Sequence, residues 1–323
     1  MSTLFTAKRQ LTVNKYPIDM SSHAFGELRE SSDCLSHPEQ LRARMQEDGY
    51  IFLRNYLNKQ TVLNARKDVL QQLSNLSLID NTVPMDEARG VKSKSFKKLD
   101  FDKKQLPAVR DLTTSDALSD FYRILLDGEP RTFDHFWVRA LSPKSNSETV
   151  HSDIVYMGQG TQNLYTNWIP LGDVPKEQGP IMILEKSHQI EEIKFDYCQW
   201  DVDRNPQRWR FKHGQLFRGG HYSRNAPAVQ KEFGLRWLTA DFNVGDVVMF
   251  STYALHCALD NLTDEVRIST DNRYQLASDP IDPRWVGEEP IGNLFKKNNH
   301  IFSRLNVPYH YLLKLMRKKS ELA

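Results

Sequence analysis

Residues 150–156 read V-H-S-D-I-V-Y, and the fold and the chemistry of the chain turn on how His151 and Asp153 sit in that run. The neighbours are apolar and β-branched, which favours a strand. Residues two apart in a strand point to the same face. His151 and Asp153 are therefore expected to project side by side, either as half of a metal site or as an ordinary polar pair on a solvated strand. The chain holds ten histidines, so a His-x-Asp arises easily by chance and the surrounding sequence must decide.

Outward from this run the texture is that of short strands separated by turn residues. F-D-H-F-W-V-R-A-L, L-Y-T-N-W-I-P-L and P-I-M-I-L-E lie on either side of it, and W-L-T-A-D-F, V-V-M-F, A-L-H-C-A-L and V-R-I-S-T-D-N-R-Y-Q follow. Strands at near-regular spacing indicate a sandwich or barrel. Before residue 130 the pattern differs. L-R-A-R-M-Q-E-D-G-Y reads as a short helix stopped near Gly49, I-F-L-R-N-Y-L as a strand, and Asn58 as the N-cap of a helix with Val62, Leu63, Val69, Leu70 and Leu73 as its apolar stripe. Another helix is expected near 115–127, ending at Gly128. The lysine-rich stretch 86–110 has little periodicity and reads as a solvated loop, and the first 40 residues read as irregular. Helices come first and strands later without βαβ alternation, which argues against a doubly wound fold. The expectation is a mainly β protein with flanking helices and a jelly-roll core, in one domain over 1–323: helical support at about 40–128, a β-core at about 130–280 with an insertion at about 191–235, and a C-terminal extension at 281–323.

Composition narrows the function. Hydrophobic residues at 39% suffice for a core, and a net charge of +2 supplies no field for nucleic acid or an anionic membrane. Cys34, Cys198 and Cys257 are too few and too scattered for a disulfide framework, so a reducing compartment is expected. The N-terminal residues lack the apolar core of a signal peptide, and no apolar run approaches the 18 residues of a membrane span, so the expectation is a cytoplasmic protein. G-x-S-x-G, H-E-x-x-H and the P-loop are absent, and G-Q-G-T-Q-N at 158–163 lacks the third glycine of a dinucleotide fingerprint.

Two histidines and a carboxylate on one face of an ion leave positions for other reactants and favour ferrous iron. A third ligand should come from another strand of the same core. His23, His37, His300 and His310 lie outside the strand-rich region, His213 and His221 lie in the insertion, and His135 and His188 precede the later strands. His256, in Y-A-L-H-C-A-L, remains, as a ligand or as a buried core histidine. Eleven residues later, Arg267, Ser269, Asp271 and Arg273 alternate and so share a face. An arginine on an inward face needs an anion. Its planar fork suits a carboxylate, to which Ser269 can add a hydrogen bond, while Asp271 or Glu265 could instead make it a structural ion pair.

His151-Ser152-Asp153, His256 and Arg267, in this order, resemble the iron(II)- and 2-oxoglutarate-dependent oxygenases of the phytanoyl-CoA dioxygenase superfamily. W-I-P-L-G-D-V-P-K-E-Q-G-P-I-M-I-L-E-K-S-H, N-V-G-D-V-V-M-F-S-T-Y-A-L-H and the early D-G-Y-I-F-L-R-N-Y-L carry the resemblance over roughly residues 40–280. It implies a double-stranded β-helix (jelly-roll, cupin-like). It implies that His151, Asp153 and His256 bind Fe(II), that Arg267 takes the distal carboxylate of 2-oxoglutarate with Ser269 assisting, and that Trp168 lines the cosubstrate pocket. His188 is implied to be structural. O2 is the third reactant, and a small-molecule substrate would be oxidised, chiefly by hydroxylation, with release of succinate and CO2. Lys186 and the pair Cys257-Ala258 depart from the family's pattern.

Arg139, Tyr156, Arg210 and Tyr222 are the candidate substrate residues. The insertion mixes aromatics with arginines, which would suit a lid over a small, anionic substrate, with the stretch from Arg210 to Tyr222 at the pocket mouth. The alternative on the same triad is a non-oxidative, metal-dependent cupin-like enzyme or small-molecule-binding protein. A keto-acid clamp at Arg267 and Ser269 separates the two.

Overall fold

The computed structural model describes residues 9–96, 99–206 and 208–294. Two open sheets face each other. The larger has the order Tyr50–Leu53, Val247–Ser251, Tyr165–Pro170, Arg267–Leu276, Pro130–Thr132, with Trp137–Leu141 also paired to Arg267–Leu276. The smaller has the order His256–Ala258, Ile181–Leu184, Trp237–Thr239, Phe25–Glu27. This is the double-stranded β-helix architecture. All pairings between these strands are antiparallel except that of Phe25–Glu27, which runs parallel to Trp237–Thr239. The irregular reading of the first 40 residues missed that edge strand, because three residues are too few to show alternation.

The strands Tyr50–Leu53 and Val247–Ser251 are apolar on both faces because both faces are covered. Tyr50, Phe52, Trp168, Val248 and Phe250 point inward and meet Ile181, Ile183 and Leu238 of the smaller sheet. Ile51, Leu53, Ile169, Val247, Met249 and Ile268 point outward and meet the helices. Those helices are Pro38–Asp48, Lys59–Asn75, Pro107–Thr113 and Asp116–Leu126. Asn58 caps the second by accepting from the Thr61 amide, as its sequence suggests. Leu63 departs from the expected stripe and lies 42% exposed, while Val62, Val69, Leu70 and Leu73 are buried. Pro107–Thr113 begins within the stretch 86–110 read as a loop and runs three residues past it. Its two turns bury Val109 and Leu112, too short a repeat to stand out among lysines.

Gly49 ends the first helix at φ 77°, a conformation that favours glycine. A side chain there would strike the His188 ring. That ring donates from Nε2 to the Gln46 carbonyl at 2.9 Å, so His188 staples a turn to the helix end and is not part of the His151–Asp153–His256 cluster.

The expected strand through V-H-S-D-I-V-Y is corrected. Val150 and His151 each make a single bridge, to Ser223 and to His256, and Ile154–Met157 is a short helix with Asp153 at its N-cap position. Asp153 already has helical backbone angles, and the Ile154 amide bonds to Thr252 O at 3.0 Å, so the ladder ends at His151. The insertion holds the helices Glu191–Phe195 and Ala226–Phe233 and the hairpin Trp209–Lys212 with Gln215–Arg218. The extension from 281 packs Trp285 into the core, and from residue 295 onward it lies outside the described residues.

Candidate active site

His151 and His256 belong to different segments joined by a reciprocal backbone pair, His151 N–H to His256 O at 3.0 Å and His256 N–H to His151 O at 2.9 Å. That pair sets the two rings 4.3 Å apart, centroid to centroid. Each Nδ1 meets a backbone carbonyl, Thr149 O at 2.7 Å for His151 and Ala254 O at 3.1 Å for His256. A carbonyl only accepts, so each Nδ1 carries the proton and each Nε2 presents a lone pair. Asp153 Oδ1 stands 3.7 Å from both Nε2 atoms. The three potential ligand atoms lie within 4.8 Å of one another, and the group is the one such cluster among the described residues.

The electrostatics suit a cation. Burial, and then the neighbouring His256 ring, push His151 down to about 3, so its imidazole is neutral at physiological pH. Burial works to raise the Asp153 carboxyl, but Arg273, the two imidazoles and Thr166 outweigh it and hold the group well below the usual carboxylate range. Two imidazole lone pairs and a carboxylate oxygen aimed at one point form a donor set suited to ferrous iron.

Arg267 lies on the wall of the same cavity, 5% exposed. Its Nη1 donates to Ser269 Oγ at 2.6 Å, and its Nε is buried without a hydrogen-bond partner. No carboxylate lies within ion-pair distance of it among the described residues. The carboxylates named as its alternative partners are engaged elsewhere. Asp271 is held by Arg139 and Arg273, and Glu265 accepts from Gln178 at 3.0 Å. Burial, with the Arg139 cation as second cause, pushes Arg267 down to about 10, so it stays charged at neutral pH. A buried guanidinium with one hydroxyl partner and an idle Nε is a site for an anion.

Trp168 lines the cavity and packs edge-on against Phe242. Of the residues expected to meet substrate, Arg139 is in the cavity wall. Tyr156, Arg210 and Tyr222 are not among its lining residues. Tyr156 packs edge-on to the His151 ring and under Gly220. The Arg210 guanidinium sits 4.4 Å over the Tyr222 ring, and the Tyr222 hydroxyl donates to Glu232 at 3.1 Å, so this pair forms part of the insertion's own core. The insertion instead touches the backbone on either side of His151. The Tyr222 amide donates to Val150 O, and the Tyr197 hydroxyl accepts from the Ser152 amide.

A family model described as phytanoyl-CoA dioxygenase matches residues 45–269. The chain belongs to the phytanoyl-CoA dioxygenase family. The 1-deoxypentalenic acid 11-beta-hydroxylase of Streptomyces exfoliatus is 27% identical over 266 residues, which are 76% of this chain and 85% of that protein. Two solved structures share the fold. EctD from S. alaskensis, with 2-oxoglutarate and 5-hydroxyectoine, is 18% identical with a TM-score of 0.52, covering 85% of this chain and 92% of its own. The epimerase SnoN from nogalamycin biosynthesis, in complex with Fe3+, alpha ketoglutarate and nogalamycin RO, is 17% identical with a TM-score of 0.52, covering 79% and 93%.

Three residues of this dioxygenase site escaped the sequence reading. Thr166 and Arg273 bind Asp153, and Glu148 lines the cavity beside Arg139. Arg273 was visible as a member of the Arg267 face, but nothing in its neighbourhood names Asp153, 120 residues away, as its partner. Thr166 sits in an apolar strand, where threonine is common for packing reasons alone.

Proposed function

We propose that this dioxygenase hydroxylates a small organic substrate, with iron(II) held by His151, Asp153 and His256, and 2-oxoglutarate held at its distal carboxylate by Arg267 and Ser269. The overall reaction takes the substrate C–H, O2 and 2-oxoglutarate to the alcohol, succinate and CO2, one oxygen atom entering each organic product. When bound, the iron and the keto acid supply the oxidising power. The protein's part is geometry and exclusion of water. Neutral His151 and charged Asp153 are ready to ligate without first losing a proton. Trp168, Ile181, Phe250 and Ala258 give the cavity an apolar lining that keeps water from the reacting centre.

One observation carries this reading: the buried, carboxylate-free guanidinium of Arg267 in the same cavity as the triad. A non-oxidative enzyme on these ligands has no use for such an anion clamp. Arg267→Lys keeps the charge and loses the fork. The Michaelis constant for 2-oxoglutarate, followed by succinate release, should rise tenfold or more, since a charge-assisted hydrogen bond contributes about 1.5–3 kcal/mol. An unchanged constant would refute the assignment.

The substrate reading is finer. Among the described residues, Arg139 and Glu148 alone of those lining the cavity are not buried, so they mark its open end. Arg139 Nη1 holds Glu148 at 3.0 Å across that opening. An anionic substrate group would take this nitrogen in exchange for Glu148. Glu148→Gln should then tighten such a substrate and leave the constant for 2-oxoglutarate unchanged. The three cysteines are free and buried, which supports a cytoplasmic location.

A further inference from the structure

We infer that Thr166 and Arg273 are positioning residues that turn Asp153 into a one-oxygen ligand, and that Asp271 and Arg139 brace Arg273 for that task. The inference rests on the proposed triad and assigns work to residues outside it. The two oxygens of Asp153 have different surroundings. Oδ2 accepts from Arg273 Nη2 at 2.6 Å and from Thr166 Oγ1 at 2.7 Å. Oδ1 is the atom that faces both imidazoles, at 3.7 Å from each Nε2.

The sheet register makes the two donors converge. Thr166 and Arg273 are direct partners across the strands Tyr165–Pro170 and Arg267–Leu276, so their side chains leave the same face side by side. Arg273 cannot swing away. Its Nη1 is bonded to Asp271, and its guanidinium lies 4.2 Å from the Trp137 ring centroid. Asp271 is itself gripped by Arg139 through Nε at 2.5 Å and Nη2 at 3.2 Å. The chain of ion pairs thus runs from Arg139 at the cavity mouth through Asp271 and Arg273 to Asp153. Arg139 therefore has two sides, an inner one committed to the brace and an outer one turned to Glu148.

The consequence is chemical. A six-coordinate ion held by two imidazoles and one carboxylate oxygen would keep three positions, and a chelating keto acid would need two of them. A carboxylate free to bind through both oxygens would take one of the three. With Oδ2 already occupied by two donors, that mode is closed before any metal arrives.

Thr166→Val and Arg273→Lys test this without altering the local charge, so a change in metal affinity reports orientation and not electrostatics. Co(II) binding to the full chain, followed by competition with a chelator, needs no turnover. Both variants should bind Co(II) about 10–100-fold more weakly than the wild type, the usual effect of removing a group that orients a ligand. Wild-type affinity in Thr166→Val, which is nearly isosteric, would overturn the inference. Asp153→Ala run in parallel separates the two levels. If it abolishes Co(II) binding while Thr166→Val and Arg273→Lys do not weaken it, the triad stands and the positioning role falls. If Asp153→Ala binds Co(II) like the wild type, the triad itself is wrong.

Discussion

Arg267 and Arg273 stand six residues apart on one face of one strand, and their surroundings are opposite. Arg273 is enclosed by Asp153, Asp271 and the Trp137 ring. Arg267, also buried, has one serine hydroxyl and no carboxylate within ion-pair distance among the described residues, and the Nε of each arginine is left without a partner. A fold that buries a cation normally supplies its anion. Where it does so, at Arg273, the arginine belongs to the protein's own framework. Where it does not, at Arg267, the guanidinium is open to an anion from outside, as the proposed 2-oxoglutarate site requires. The difference along this one strand thus supports reading Arg273 as scaffold and Arg267 as the proposed binding residue without reference to any relative.

The largest effect is expected from removing each arginine in turn, in protein free of metal and keto acid. Arg273→Met leaves two buried carboxylates short of a partner and should cost about 3–5 kcal/mol in urea denaturation, the usual result of breaking a buried ion pair from one side. Arg267→Met removes a buried charge that has no carboxylate to satisfy, so stability should stay level or rise. Equal destabilisation by the two would break the comparison and mark Arg267 as structural.

Ligand addition sharpens the same contrast. With Mn(II) present, 2-oxoglutarate at 100 times its dissociation constant should stabilise the wild type by about 2.7 kcal/mol, as mass action requires. Arg267→Met should lose this gain at the same concentration. Thr113→Ala, in a residue whose hydroxyl donates to Val109 and Arg110 in the supporting helix, should leave it intact. A gain that survives in Arg267→Met would place the distal carboxylate elsewhere.

How much of this was legible before the fold was known follows from distance along the chain. The strands of the core announce themselves through local alternation and turn residues, and Asn58 through the cap it forms three residues ahead. His151, Asp153, His256, Arg267 and Ser269 were singled out because their residue types carry chemistry and their order is that of a family. The pairing state of Arg267 was not legible, because it depends on Asp271 being consumed by Arg139, which arrives from another strand. The local shape of V-H-S-D-I-V-Y was misread for a related reason. Its composition favours a strand, but the neighbouring ladder offers His151 one bridge and Asp153 none, and the chain turns into a helix instead. The insertion was expected to send Arg210 and Tyr222 toward substrate. A cation and an aromatic ring close in sequence satisfy each other, and here they do.

The smallest effect concerns a third cation, Lys103, which is half-buried beside the His135 ring and 5.2 Å from the centroid of Phe136. It resembles Arg267 in lacking a carboxylate within ion-pair distance among the described residues. Unlike arginine, lysine can shed its charge when water is withdrawn. Burial pushes Lys103 from its ordinary value of 10.5 down to about 8. The folded state therefore binds fewer protons than the unfolded one between about pH 8 and 10.5, and over that window this group makes stability rise with pH. Below pH 8 the full cost of keeping a buried ammonium remains. Lys103→Met should accordingly be more stable than the wild type at pH 7, with the difference shrinking towards zero as pH approaches 10.5. Urea denaturation of both proteins at pH 7, 8.5 and 10 measures it. A constant difference across the series would show that Lys103 keeps its proton on folding, and that its ammonium, like that of Arg273, has found compensation enough inside the protein.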